Sequence, residues 1–298
     1  MLFLAIALLL AGPAGGAAAR DQERIELGSP EELLAFFERL NYTPESWEAG
    51  IRAVPRIYLM EVGQNWRVNS KKLAVLTKKR IFFRALGPLV LRGNEIVLSD
   101  RQRLIEFRKT RASGAATPDW VQELARRYKV TDSPDAGVDA AAMDELLKRV
   151  DAVPPSLVLA QGAEESGWGT SRFAAEGNSL FGQWTWGGKG IVVKDQRGGK
   201  GDYKIAAFET PLESVQAYLL NINSHAAYAG LRDRRMQMRA SGVQDLSGWE
   251  LAESLTRYSE RGADYVKSLH TIMKANKLPQ TDSAVLVDGP EWHVYPKQ

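Results

Sequence analysis

The sequence predicts an α+β fold, predominantly helical, with one small β-hairpin lobe in its C-terminal half. Three observations point there. Helix starts recur as a hydroxyl residue followed by proline and acid: Ser29-Pro30-Glu31-Glu32, Thr43-Pro44-Glu45 and Thr210-Pro211-Leu212-Glu213. Apolar residues at helical spacing follow each of them. β-like character is concentrated in two short runs, residues 191–194 and 202–208, with Gly198-Gly199-Lys200-Gly201 between them as a hairpin turn.

Taken in order, residues 1–19 read as an export signal. Leu2 to Ala11 is apolar but short for a membrane span, and Ala17-Ala18-Ala19 offers a cleavage site before Arg20, although no Lys or Arg precedes the apolar run. The chain is therefore expected to be exported, periplasmic or associated with the cell envelope, with no stable membrane span once the signal is removed. An uncleaved anchor is the alternative. Residues 20–137 read as a helical N-terminal region without catalytic spacing. Within it, residues 71–84 carry apolar side chains at 73, 75, 76, 81, 82 and 83 among Lys and Arg, the pattern of a basic amphipathic helix. Such a helix either touches a membrane or anionic wall, or packs with its basic face in solvent. Ile96-Val97-Leu98 leads to a separate helix with Ser99 as its cap, and another helix runs from Trp120 to Tyr128. Turn residues at 131–137 precede a second domain, 138–281, whose first helix spans 143–150. From Asp282 to Gln298, with Pro290 and Pro296, a loosely attached tail is expected.

Composition narrows the function classes. The net charge of +3 comes from scattered basic residues, without the stripe of a nucleic-acid binder. Zero cysteines exclude disulfides and thiolate metal sites, and three separated histidines (225, 270 and 293) supply no ligand set. No metal and no cofactor are expected. The Gly-Gly-Lys-Gly run lacks the strand–loop–helix setting and the Lys-Ser/Thr ending of a P-loop. Oligomeric state is not legible.

The chemistry lies in Leu157-Val-Leu-Ala-Gln-Gly-Ala-Glu-Glu-Ser-Gly-Trp-Gly169, continued by Asn178-Ser-Leu-Phe-Gly182. Pro155 suits a first helical position, the apolar residues suit a buried helix, and Gly167 and Gly169 suit its end. A helix there sets Glu165 on the side of Val158, Gln161 and Gly162, with Glu164 about 100° round. Gly162 has no side chain to cover Glu165, so a partly desolvated carboxyl with a raised pKa is expected. These residues closely resemble the glucosaminidases of glycoside hydrolase family 73, lysozyme-like enzymes that cut peptidoglycan glycan strands. The resemblance implies a lysozyme-like C-terminal domain, with Glu165 as general acid and Tyr258, with Tyr265 after it, matching a family tyrosine pattern. Val54-Pro-Arg-Ile-Tyr-Leu59 and Lys78-Lys-Arg-Ile-Phe-Phe-Arg-Ala-Leu-Gly-Pro-Leu-Val-Leu-Arg92 resemble Bax-like proteins, which join such a helical region to a glucosaminidase domain.

Glycoside cleavage needs a proton for the leaving oxygen and support for an oxocarbenium-like centre. Asp195 is the candidate second carboxylate, with Asp202 and Glu209 behind it, and Tyr258 is the candidate polar stabiliser if the substrate's N-acetyl group assists. Trp168, Phe181, Trp184 and Trp186 are candidate sugar-stacking rings, with Phe181 and Trp168 also suited to the core. Asn178 is expected to bond backbone and hold the loop around the site. The resulting expectation is an endo-β-N-acetylglucosaminidase whose partner is the peptidoglycan strand. A lytic transglycosylase and a non-catalytic wall-binding module are the alternatives.

Overall fold

The computed structural model describes residues 21–111, 116–131, 137–194, 196, 198–199 and 201–297. The export-signal reading and Asp195 lie outside the described residues. The N-terminal region is not all helix. It opens with strand β1 (Gln22–Leu27), helix α1 (Pro30–Arg39), α2 (Pro44–Glu48), strands β2 (Ala53–Val54) and β3 (Ile57–Leu59), and α3 (Gly63–Asn69). Ser29 and Thr43 cap α1 and α2 as their sequences dictate, accepting the amides of Glu32 and Ser46.

Helix α4 (Val75–Thr110) is one continuous element of 36 residues. The break expected at Ser99 does not occur: Ser99 is inside the helix, and so is Pro88. A mid-helix proline costs about 3 kcal/mol in isolation. Here Pro88 is buried and its neighbours Leu86, Leu89 and Val90 belong to the main core, so tertiary packing offsets that cost. α5 (Asp119–Arg127) and α6 (Ala140–Arg149) follow, then the central α7 (Pro155–Ser166) and the short α8 (Arg172–Gly177). Strands β4 (Trp184–Thr185), β5 (Gly190–Val192) and β6 (Lys204–Ala206) form an antiparallel lobe in the order β4-β6-β5. Helices α9 (Pro211–Ser224), α10 (Ala229–Ala240), α11 (Gly248–Ala252) and α12 (Ala263–Ala275) complete the helical body.

The chain ends in β7 (Val285–Leu286) and β8 (Glu291–Pro296). This overturns the loose tail. β8 lies between β1 and β3 and pairs in parallel with both, while β7 pairs with β2. Val294 joins Phe36, Phe37 and Ile57 in a small buried cluster of its own. Proline at 296 is compatible because it falls at the strand's end.

α7 is the axis of the main core. Leu157, Val158, Leu159 and Ala160 are buried, because α4, α11 and α12 surround the helix. Gly162 permits that approach: a Cβ there would lie 2.8 Å from Leu86 Cδ2 of α4. Gly162 also faces Phe181, so its missing side chain serves the packing of α7. At the other end of α7, Asp282 accepts the Ser156 amide at 2.9 Å, the Ser156 hydroxyl at 2.8 Å and the Gly248 amide at 3.0 Å. Gly248 is pressed against this junction, where a Cβ would meet Ser156 Oγ at 2.1 Å and Leu157 N at 2.8 Å. Because one of those atoms is backbone, Gly248→Ala is expected to cost about 2–3 kcal/mol, measured by urea denaturation. An unchanged midpoint would show that the two helix starts can separate freely.

Candidate active site

α7 carries charge only in its last turn, at Glu164 and Glu165. Gly167 ends the helix in the left-handed region (φ 57°), and Trp168 follows with φ 62°. A tryptophan there is strained and needs external support. It gets it: the Trp168 carbonyl accepts from Trp66 Nε1 at 3.0 Å, and its ring meets Phe82 and Phe83 edge-on at 5.8 and 5.1 Å. Lys79 lies 4.6 Å above the same ring. Trp168 is thus half-buried in a brace between α3, α4 and α7.

Glu165 is half-buried in front of that brace. Its Oε1 accepts from the Tyr265 hydroxyl at 2.7 Å. Tyr265 Oη in turn accepts from Gln161 Nε2 at 3.0 Å, and Gln161 Oε1 accepts from the Tyr218 hydroxyl. The relay has one direction. Gln161 occupies the Tyr265 oxygen as a donor, so the single Tyr265 proton goes to Glu165. Any proton carried by Glu165 therefore sits on Oε2, which faces Gly182, where a Cβ would be 4.0 Å away.

Burial raises the Glu165 carboxyl above its ordinary value; the Tyr265 hydrogen bond opposes this, the Glu164 carboxylate adds to it, and Arg261 opposes it more weakly. Glu164 itself points elsewhere and binds Arg261 at 2.6 Å. Burial, reinforced by the Glu165 charge, pushes the Tyr258 and Tyr218 hydroxyls up, so these rings are neutral donors at any working pH. Tyr258 stacks on Tyr265 at 5.3 Å and lies 5.7 Å from Tyr228. An aromatic wall of tyrosines thus stands beside one carboxyl.

The β lobe is rooted next to it. Asn178, in the left-handed region (φ 53°), accepts the Val62 amide and donates to the carbonyls of Phe208 and Glu209. Phe181 is buried and stacks on Tyr218 at 4.2 Å. Trp184 stacks on Tyr203 at 4.1 Å, while Trp186, 65% exposed, meets Trp184 edge-on. Glu209 is exposed and tied to Lys189, and Asp202 is exposed. Sequence reasoning placed Gln161 on the Glu165 face but missed the roles of Gln161, Tyr218 and Arg261. The four-residue spacing from Gln161 to Glu165 was the available signal. Among the described residues no group of three His, Asp or Glu is placed to hold a metal, and no helix is long and apolar enough to cross a membrane.

The glucosaminidase family, described as mannosyl-glycoprotein endo-beta-N-acetylglucosaminidase, matches residues 140–278, which span α6 to the turn after α12. This defines the chain as a glycoside hydrolase of the peptidoglycan-hydrolase class. Protein Bax of Escherichia coli (strain K12) is 30% identical over 200 residues, covering 67% of this chain and 70% of that protein. The chain belongs to the Bax-like family of glucosaminidase-domain proteins. The solved catalytic domain of the autolysin Auto from Listeria monocytogenes aligns with 60% of this chain and 96% of its own, at 20% identity and a TM-score of 0.34.

Proposed function

We propose that the chain is an endo-β-N-acetylglucosaminidase that hydrolyses β-1,4 bonds of peptidoglycan with Glu165 as general acid. The observation that carries this is the half-buried Glu165 carboxyl, with Oε1 occupied by Tyr265 and Oε2 left for the acid proton. Burial keeps a share of Glu165 protonated above the ordinary carboxylate range, as a general acid requires. On proton transfer from Oε2 to the leaving oxygen, the charge on Glu165 is met by the hydrogen bond Tyr265 already makes. Trp184 and Trp186 serve as sugar platforms at the lobe, and Trp168, Asn178 and Phe181 shape the site from behind. An exported location, periplasmic or associated with the cell envelope, goes with that substrate, which lies outside the cytoplasm.

The second group is assigned to Asp195, which follows β5 in the chain, with Tyr258 supporting the oxocarbenium centre. Glu164 and Glu209 are each engaged by a cation. Asp195→Asn is expected to lower kcat by at least about 100-fold and Asp202→Asn by less than about twofold. The reverse ranking would move the role to Asp202.

Gln161→Leu tests the relay. Without the donor from Gln161, the Tyr265 hydroxyl is a weaker partner for the ionised carboxylate. We expect kcat to fall about tenfold and its alkaline limb to move to higher pH. A mere packing defect would lower kcat and leave the limb in place.

Digestion of purified sacculi, with product ends read by mass spectrometry, tests the bond cut. Reducing N-acetylglucosamine ends are expected. Anhydromuramic ends would make the chain a lytic transglycosylase, and sacculus binding without products would make it a wall-binding module.

A further inference from the structure

Between Glu61 and Glu95 the chain has no acidic residue and eight basic ones, six of them from Arg67 to Arg80. Residues 67–80 make the corner where α3 gives way to α4. α3 ends, a single 3-10 turn (Ser70–Lys72) follows, and α4 begins at Val75. Three aliphatic side chains stand in solvent there: Val68 is 56% exposed, Val75 68% and Leu76 57%. Isolated exposed aliphatics are ordinary, but three within nine residues of one basic stretch call for a partner. Around them Lys71, Lys72 and Arg80 are exposed, and no carboxylate among the described residues pairs with Arg67, Lys71, Lys72 or Lys78. The first turn of α4 has neither a capping side chain nor an acid, so its positive end adds to the same field.

The two kinds of group select the occupant. A glycan strand offers hydroxyls and sugar faces, which stack on aromatic rings; Val and Leu give it little. A layer of anionic phospholipid offers phosphates for the lysines and an acyl boundary for the aliphatics within a few ångströms. Lysine stems can lie along the apolar patch while their ammonium groups reach outward. We propose that this corner docks on an anionic phospholipid surface, with Val68, Val75 and Leu76 entering the headgroup boundary and Lys71, Lys72 and Lys78 on the phosphates. Docking there also orients the candidate site. Lys79 lies over Trp168 and Trp66 holds the Trp168 carbonyl, so the corner is braced directly to the end of α7, three residues past Glu165.

The chain contains no cysteine, so one introduced thiol is unique. Val75→Cys, carrying an environment-sensitive dye, is added as the full chain to phosphatidylcholine vesicles with and without phosphatidylglycerol. A blue shift on the anionic vesicles alone is expected, reversed by added salt. The same dye at the exposed Glu253 (Glu253→Cys) should not shift, which separates docking by this corner from attachment through the chain's first residues. With Lys71→Glu, Lys72→Glu and Lys78→Glu added, vesicle affinity read at position 75 should fall at least about tenfold, since each cation near such a surface contributes roughly fivefold. No shift at position 75, an equal shift with the charges reversed, or the same shift with soluble polyglutamate in place of vesicles would overturn the assignment. Should the charge-reversed chain not fold, the salt dependence of the singly labelled chain decides.

Discussion

Glu165→Gln is expected to lose about 10³-fold in kcat on sacculi, within the range that loss of a general acid produces, and to melt at a higher temperature than the wild type at neutral pH. The second half follows from linkage. Burial raises the folded-state pKa of Glu165 above its unfolded value. Its contribution to stability is therefore fully present below the unfolded pKa, about 4.5, and is lost as pH rises through the folded one. Above that window the wild type holds a carboxylate where a neutral group fits better. Glutamine keeps an acceptor for Tyr265 and never ionises. The melting-temperature gap should open as pH rises through the window and stay open beyond it. Equal melting at all pH values would mean that Glu165 is solvated and no better placed as an acid than any surface glutamate.

Removing residues 289–298 is expected to lower stability by more than about 3 kcal/mol, measured as a shift of the urea midpoint. Val294 is buried, which contributes roughly 1.5–3 kcal/mol by itself. Its strand also supplies the centre of the β1-β8-β3 sheet, so both flanking ladders go with it. Val294→Asp should approach the same loss with the chain intact. A truncated chain with an unchanged midpoint would show that the strand is an appendage after all.

That strand marks where sequence reading stops. Ser29, Thr43 and Thr210 were legible as helix caps because each cap is written within four residues, and all three side chains accept the expected amides. α7 was legible for the same reason: proline, an apolar run, acid and then glycine lie in order within fifteen positions. β8 was not, since its partners β1 and β3 lie more than 200 residues earlier and its own sequence has one proline just before it and another as its last residue. The continuity of α4 was hidden by Pro88 and Ser99, where tertiary packing overrides local preference. In the site, Glu165 was read from its neighbours in sequence, but Tyr265 reaches it from α12, 100 residues away. The relay from Tyr218 through Gln161 joins α9, α7 and α12, and no local pattern encodes such a path.

The central claim is that Glu165 holds a proton above the ordinary carboxylate range because it is buried, and delivers that proton from Oε2. The most direct measurement is a carbon-13 NMR titration of the Glu165 carboxyl, assigned by its disappearance in Glu165→Gln and run beside the pH profile of kcat. A single midpoint above 4.5, coinciding with the alkaline limb of kcat, is expected. A midpoint at or below the ordinary glutamate value, or a limb that titrates elsewhere, would contradict it.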